Sequence, residues 1–212
     1  MDYLTVKDIP ILFSQLSQVF IIQKDTLIKL DGVVGDSDLG LTMAKGFYAA
    51  NNALISLKNT TIETQLKTAG VAMARAAPST MGTLMATGFM RGANSVKGKN
   101  MLGTPEIADF WCAFSDGVTQ RGRAKLGDKT VVDILNPIAV TLLKKNKAGA
   151  SLPDALTAAH ASATIALEET KKLVAQLGKA AAFQEKTRGL QDAGGTVAVI
   201  IIKTMADFVC KN

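Results

Sequence analysis

The sequence predicts an all-α fold, and three observations indicate it. Apolar residues recur with a period near 3.6, which places them on one face of a helix. The long hydrophobic runs are rich in Ala, Leu and Met and poor in alternating β-branched segments. The connections are mostly short, with no internal repeat and no linker-like shift in composition. We therefore predict one domain over residues 1–212, built from eight helices whose sequence neighbours run antiparallel.

Four helices are predicted in the first half of the chain. The first helix ends just before Gly32, and a glycine-bracketed loop follows it. Thr60 and Glu63 have the spacing of a capping box that opens the third helix, and Pro78 lies just beyond its end. The four predicted helices cover residues 6–30, 41–51, 60–76 and 80–95.

Four more helices are predicted in the second half. Ser151, Pro153 and Asp154 form a strong N-terminal signature for the seventh helix. Pro137 lies inside the sixth helix, which we expect to bend there. The predicted ranges are residues 104–125, 130–146, 152–176 and 194–209.

Composition excludes several functional classes. The 24 basic and 18 acidic residues give a net charge of +6, which favours acidic small molecules or phosphates but is too mild to indicate nucleic acid. The apolar stretches are shorter than the roughly 20 residues of a membrane span, and the N-terminus lacks the pattern of a signal peptide. Cys112 and Cys210 lack zinc-site spacing and are interpreted as free thiols. We expect a cytoplasmic protein that contacts neither membrane nor nucleic acid.

The conventional catalytic and nucleotide-binding motifs are absent from the sequence. The single histidine, His160, lies in an Ala-rich stretch and is interpreted as a packed or surface helix residue. No GxxxxGK[ST] or GxGxxG pattern occurs. A nucleotide site in this chain therefore needs a different construction.

Three carboxylates fall within eight residues of one Gly-rich segment: Asp31, Asp36 and Asp38. The glycines free the backbone to turn them towards one point, where they repel one another unless a cation lies between them. Hard oxygen ligands favour Mg²⁺ or Ca²⁺, and Mg²⁺ commonly combines few carboxylates with substrate phosphates. Phe47 stands where an EF-hand needs its bidentate Glu, so that motif is excluded. The alternative is an Asp/Gly turn whose side chains cap the helix beginning near Leu41.

Two further segments place glycines and charges at helix ends. Residues 121–130 join a basic helix end to a new helix start, which can bind an anion through its free N–H groups. The alternative is a solvated basic helix end with Gly127 as its cap. In residues 191–196, two glycines at a helix start permit close approach of a ligand, and the alternative is N-capping by Asp192.

Together these segments resemble one kinase family over nearly the whole chain. Residues 35–40 (GDSDLG) resemble the family's GDGDHG, with Asp31 at the position of its preceding aspartate. Residues 122–133 resemble GKAxPGDKTMxD, and residues 178–180 and 192–196 resemble GRAS and DPGAT. The family is the nucleotide-binding L subunit of bacterial, phosphotransferase-system-dependent dihydroxyacetone kinase, with the homologous C-terminal domain of ATP-dependent kinases.

The resemblance implies an eight-helix antiparallel barrel with the nucleotide site at one rim. By matching position, Asp31, Asp36 and Asp38 would hold two Mg²⁺ ions that bridge to the phosphates of ADP or ATP, and no catalytic residue beyond these metal ligands is implied. The residues that would line the nucleotide are Leu39, Thr42, Thr80, Met81, Gly82, Gly122, Val131, Lys179, Asp192 and Gly194.

Three departures from the family pattern lie near the implied nucleotide. Leu39 replaces the usual His, and residues 78–82 (PSTMG) replace a Gly-Gly-x-Ser-Gly loop. Lys179 replaces Arg, which keeps the charge and loses bidentate contact. The three aspartates are intact, so nucleotide binding is still expected.

The resemblance further implies a half-enzyme. The chain would pass a phosphoryl group from Mg-nucleotide to dihydroxyacetone held on a partner K subunit. A phosphohistidine on an M subunit would recharge a retained ADP, and ATP as the donor is the second choice. The alternatives are a non-catalytic, nucleotide-loaded regulatory module or a kinase subunit for another short ketose. Oligomeric state is left open, with a homodimer among the options.

Overall fold

The computed structural model describes residues 1–211, and this part of the chain is mostly helical with almost no sheet, which confirms the all-α prediction. One antiparallel pair of two-residue strands joins β1 (Leu4–Thr5) to β2 (Met101–Leu102). Two 3₁₀ segments, Thr170–Lys172 and Lys179–Thr187, lie between the last two α-helices. The α-helices are α1 (Asp8–Ile22), α2 (Lys24–Asp31), α3 (Leu39–Ile55), α4 (Ile62–Ala76), α5 (Thr80–Ser95), α6 (Thr104–Gly122), α7 (Val132–Lys147), α8 (Leu152–Glu169) and α9 (Ala193–Lys211).

The described residues form nine α-helices rather than the predicted eight, because the first one is divided. Gln23 separates α1 from α2, with a ψ of −1° that departs from the helical value. Its N–H still donates to the Val19 carbonyl and its carbonyl accepts from the Leu27 N–H. The apolar spacing continues across this joint, so periodicity alone predicted one helix.

Several helix ends also differ from the predicted ones. The helix before the basic segment ends at Gly122 instead of residue 125, because Arg123 adopts a left-handed φ of 54°. The acidic loop is shorter than expected, since α3 begins at Leu39. α8 stops at Glu169 rather than residue 176, and the chain continues as a short 3₁₀ turn. α7 contains Pro137 and continues through it as one helix.

Hydroxyl side chains cap the starts of three helices. The predicted capping box at Thr60 is wrong: Thr61 is the N-cap of α4, and its Oγ1 accepts from the Thr64 N–H at 3.2 Å. Ser151 caps α8 as its signature predicted, accepting from the N–H of Asp154. Ser79 caps α5 in the same way. These bonds satisfy N–H groups that a helix start otherwise leaves without partners.

The helices pack in sequence order and close into a ring. From α3 to α9 each helix packs against the next, while α1 contacts both α3 and α9. Aromatic rings fill the centre, where Phe20 and Phe47 stack at a centroid distance of 4.4 Å. A Cβ on Gly88 of α5 would approach the Phe114 ring of α6 to 2.5 Å, so the missing side chain permits the close contact of these helices.

The last helix is both long and apolar. By length and composition, α9 could cross a membrane, with a mean hydropathy of 1.6 over its most apolar window. More than half of that window is buried against other helices, as is typical of a core helix. The length of uninterrupted apolar stretches in the sequence does not reveal that α9 is this hydrophobic, because polar residues interrupt them.

Candidate metal and nucleotide site

A cavity of about 280 Å³ lies where four connecting segments meet. The first is the loop between α2 and α3, and the second is the start of α5. The third joins α6 to α7, and the fourth joins α8 to α9. These segments are remote in sequence, and the packing of the helices brings them to one place.

The three aspartates converge at this cavity. One carboxylate oxygen from each of Asp31, Asp36 and Asp38 lies within 4.8 Å of the others. The loop closes tightly around Asp31, because a Cβ on Gly35 would collide with the Asp31 carboxylate. Ser37 adopts a left-handed φ of 60°, which turns the chain between the last two aspartates.

The capping alternative applies to one of these carboxylates. Oδ2 of Asp31 accepts from the N–H groups of Asp38 and Leu39, at 3.0 and 3.3 Å, at the start of α3. Asp38 occupies the N-cap position, but its own side chain makes no capping hydrogen bond. Asp36 pairs with Lys179, whose Nζ lies 3.2 Å from Oδ2 of Asp36. Capping therefore accounts for Asp31 and leaves the convergence of the other two unexplained.

The electrostatics of the cluster fit a cation. Burial raises the pKa of the Asp38 carboxyl, and the nearby Asp36 and Asp31 carboxylates raise it further, while Lys179 opposes them. A group of mutually repelling hard oxygen donors is the set that Mg²⁺ takes in proteins. The residues present therefore fit the divalent cation implied by the sequence.

The basic segment is held by aspartate side chains. Asp133, in the first turn of α7, accepts from the N–H of Gly127 at 2.6 Å and from the N–H of Thr130 at 2.8 Å. Gly127 was considered as the cap of α6, but Arg123 takes that position, and Gly127 lies in the following loop with a φ of +93°. Lys129, which sequence reasoning did not single out, is buried beside the cavity.

The start of α9 forms another wall. Oδ2 of Asp192 accepts from the N–H of Gly195, so the capping alternative is present, and Asp192 also lines the cavity. Burial raises the pKa of the Asp192 carboxyl to about 7; the Gly195 N–H and Lys129 oppose the rise, and Asp133 and Asp31 add to it.

Eight of the ten residues assigned to the nucleotide line the cavity. Thr42 and Gly82 do not: both are buried within helices, and the N–H of Gly82 donates to Oγ of Ser79. Ser79 lies on the wall instead, one residue before its helix, and its N-cap chemistry was the available signal. The eight are Leu39, Thr80, Met81, Gly122, Val131, Lys179, Asp192 and Gly194.

The histidine and the cysteines lie outside the cavity. His160 is a partly buried residue of α8, and burial lowers its pKa, with Lys203 acting in the same direction and Asp207 against it. Cys112 and Cys210 are both unpaired, as predicted.

Comparison with known proteins decides the family. The model of the DAK2 domain matches residues 33–207, which is most of the chain. The chain belongs to the DAK2-domain family. The match includes Asp36 and Asp38, whereas Asp31 lies just before its first residue.

Curated relatives of this DAK2 domain are kinases and kinase subunits. The chain is 30% identical over 193 residues to the PEP-dependent dihydroxyacetone kinase, ADP-binding subunit DhaL of Escherichia coli, covering 91% of this chain and 92% of the relative. It is 28% identical over 180 residues to the L-erythrulose kinase of Pectobacterium atrosepticum, covering 84% of this chain and 30% of that longer protein.

Solved structures share the fold of this DAK2 domain. The native dihydroxyacetone kinase of C. freundii superposes with a TM-score of 0.72 at 23% identity, over 94% of this chain and 34% of that one. The same kinase in complex with AMP-PNP and Mg²⁺ gives a TM-score of 0.70 at 22% identity, over 96% and 33% of the two chains. The chain thus spans about a third of those kinases, and the likeness establishes the all-α fold.

Proposed function

We propose that this chain is the ADP- or ATP-binding subunit of a dihydroxyacetone kinase and acts only with a partner subunit. The observation that carries the proposal is the convergence of three carboxylates and Lys179 at one cavity. The similarity to an ADP-binding subunit of nearly equal length supports it.

In this proposal Asp31, Asp36 and Asp38 hold Mg²⁺, and two ions are expected from the resemblance to the L subunit. Bound magnesium would neutralise phosphate charge and align the transferred group, which is most of what phosphoryl transfer requires. The exposed ammonium of Lys179 adds a positive charge at the cavity wall.

Other residues of the chain orient the nucleotide. The starts of α5 and α9 line the cavity at Thr80 and Gly194, and N–H groups at helix starts favour phosphate oxygens. Met81 and Val131 supply apolar wall for a base or ribose. Asp192 also lines the cavity and supplies a hydrogen-bonding group.

The acceptor would be bound elsewhere. We expect dihydroxyacetone on a K-type partner, because the only histidine of this chain lies outside the cavity. We favour a retained ADP, recharged by a phosphohistidine on an M-type subunit, over exchangeable ATP, and we expect the reaction in the cytoplasm.

A second acceptor is favoured by one observation. A curated relative is an L-erythrulose kinase, so another short ketose is the alternative substrate. A regulatory module that carries nucleotide without transferring its phosphate is the other alternative, motivated by the PSTMG loop.

Reconstitution tests the proposal. The purified chain alone should not phosphorylate dihydroxyacetone, and activity should appear on adding a K-type subunit with either ATP or phosphorylated M subunit. Exchange of radiolabelled ADP distinguishes the two donors. Slow exchange is expected of a retained ADP that the phosphorylated M subunit recharges, and rapid exchange is expected where ATP is the donor. Turnover by the chain alone, unaffected by His160→Ala, would contradict the half-enzyme. No transfer to either ketose with any donor would favour the regulatory module.

A further inference from the structure

Lys129 is a buried lysine whose ammonium is surrounded by backbone carbonyls. The residue exposes only 4% of its surface, and its backbone takes a left-handed φ of 59°. Its Nζ lies within hydrogen-bond distance of four carbonyl oxygens, which belong to Thr170 (2.8 Å), Leu173 (3.2 Å), Thr187 (2.7 Å) and Leu190 (2.7 Å).

No carboxylate of the described chain lies within 4 Å of this ammonium, so carbonyl dipoles alone surround it at close range. Burial lowers the pKa of the Lys129 ammonium, and the more distant Asp192 partly offsets that effect. A buried cation is costly unless hydrogen bonds replace its water. The carbonyls supply those bonds, and those of Thr170 and Thr187 also accept from the N–H groups of Leu173 and Leu190.

The four carbonyls come from the two ends of one segment. Thr170 and Leu173 lie at the start of the long connection between α8 and α9, and Thr187 and Leu190 lie near its end. Lys129 belongs to neither end, since it lies just before α7. Its ammonium therefore joins both ends of residues 173–190 to a third element.

Further hydrogen bonds tighten the same junction. Oγ1 of Thr187 accepts from the Ala175 N–H at 2.9 Å, and the carbonyl of Asp128 accepts from the Gln176 N–H at 3.0 Å. Oγ1 of Thr170 accepts from the N–H of Asp192 at 3.2 Å. The junction thus extends directly to a residue of the cavity wall.

The segment fixed in this way carries much of one wall of the cavity. Leu177, Gly178 and Lys179 lie within it, and Asp192 follows directly. Lys179 crosses the cavity to Asp36 of the acidic loop. The position of the Lys179 ammonium therefore depends on the path of a segment whose regular structure is one 3₁₀ stretch interrupted at Gln184.

We propose that Lys129 is a positioning residue: its ammonium clamps the two ends of residues 173–190, so that Lys179 and Asp192 face the three aspartates. The consequence for nucleotide binding rests on the proposed function, whereas the consequence for the segment does not.

The chemistry of the clamp favours lysine specifically. An ammonium is a compact charge with three N–H donors that can be shared among four carbonyls, whereas a guanidinium is a planar fork suited to paired acceptors. Methionine has a similar length and no donor. Lys129→Met therefore removes the N–H donors. Lys129→Arg keeps the positive charge but presents it on a planar group that does not match the four carbonyls.

Two readouts test the clamp: hydrogen exchange of residues 173–192 without nucleotide, and affinity for Mg-ADP. Lys129→Met should raise exchange in that segment while α5 and α6 keep theirs. It should weaken Mg-ADP binding by about ten- to a hundredfold, the usual cost of losing a supporting contact behind a ligand site. The matched control is Lys172→Met, an exposed lysine at the end of the same 3₁₀ turn, which should change neither readout.

A rescue separates the ammonium from general packing. In a Cys112→Ala, Cys210→Ala background, Lys129→Cys can be alkylated with 2-bromoethylamine while unfolded and then refolded, which restores an ammonium at nearly the original distance. Recovery of slow exchange supports the clamp, and alkylated protein that exchanges like the unalkylated variant overturns it.

The outcomes separate this inference from the proposed function. A wild-type chain that binds no Mg-ADP refutes the function, and exchange alone then decides the clamp. Unchanged hydrogen exchange in Lys129→Met overturns the clamp, whether or not the wild-type chain binds Mg-ADP. Faster exchange in Lys129→Met together with wild-type affinity for Mg-ADP also overturns it. If Lys129→Met does not fold, Lys129→Arg takes its place, and wild-type values of both readouts for that variant overturn the proposal.

Discussion

Nζ of Lys179 lies 3.2 Å from Oδ2 of Asp36, so a cation from the segment before α9 directly faces a carboxylate of the loop before α3. The two residues are more than 140 positions apart in sequence. Because both side chains are well exposed, the pair adds little stability by itself. The pair matters for its position, because it places a positive charge beside the predicted metal ligands.

We expect Lys179→Met to weaken Mg-ADP binding by roughly fivefold, since an exposed charge contact to phosphate is worth on the order of 1 kcal/mol. Lys179→Arg should bind at least as well as wild type, because it keeps the charge and adds a bidentate fork. Calorimetric titration with ADP at fixed magnesium measures both. Lys186→Met is the control, an exposed lysine of the same 3₁₀ segment that lies outside the cavity wall. Equal losses in both Met variants would argue against a specific role for Lys179.

Gly35→Ala should disrupt the acidic loop without unfolding the protein. The new Cβ would collide with the carboxylate and the carbonyl of Asp31, so the loop must shift, at a cost of about 1–3 kcal/mol. We expect magnesium-dependent ADP binding to be lost while the helical circular dichroism persists. Gly103→Ala is the matched control, because its Cβ would meet only ordinary contacts, the nearest at 3.6 Å. A Gly35→Ala variant with wild-type affinity would show that the loop conformation does not matter for the site.

Ser79 should contribute to both stability and binding. Removing its cap of α5 with Ser79→Ala should lower the free energy of unfolding by about 1 kcal/mol. Ser151→Ala removes the equivalent cap of α8, away from the cavity, and should cost a similar amount. Chemical denaturation measures the two losses. Only Ser79→Ala should also weaken Mg-ADP binding, and indistinguishable binding by the two variants would exclude Ser79 from the site.

Asp192 should make the stability depend on pH. Its pKa of about 7 in the folded protein exceeds the ordinary value of 3.8, so the folded state binds a proton more tightly than the unfolded state. That contribution is complete below pH 3.8 and is lost as the pH rises through 7. The amide side chain in Asp192→Asn can still cap α9 but does not ionise, so this variant does not lose stability as the pH rises. Its free energy of unfolding relative to wild type should therefore increase between pH 4 and pH 8. Urea unfolding of both proteins across this pH range measures the change. A difference in free energy of unfolding that stays constant with pH would contradict the assigned pKa.

Local chemistry was sufficient to predict much of the fold. The helical period and the Ser151 signature identified elements that the structure contains. The break at Gln23 was not predictable, because a residue with no strong helix-breaking tendency turns the chain while the apolar pattern continues on both sides. The end of α6 was missed for a similar reason, since Arg123 takes a left-handed conformation that sequence associates with glycine.

The site was only partly predictable, because its walls depend on packing. Three aspartates close together in sequence on a flexible loop could be expected to converge, and they do. Lys129 lies in a basic, glycine-containing stretch that reads as solvent-exposed, and its burial depends on carbonyls more than 40 residues away. Thr42 and Gly82 were placed by motif alone, and neither of them lines the cavity.

The central claim is magnesium-dependent nucleotide binding at the three aspartates. Its most direct test is calorimetric titration of ADP into the wild-type chain and into Asp36→Asn/Asp38→Asn, each with magnesium and with EDTA. We predict binding only for the wild type with magnesium, together with stabilisation of about 2.7 kcal/mol at a free ADP concentration of a hundred times Kd. Unchanged ADP affinity in the double variant with magnesium present would contradict the assignment of the site.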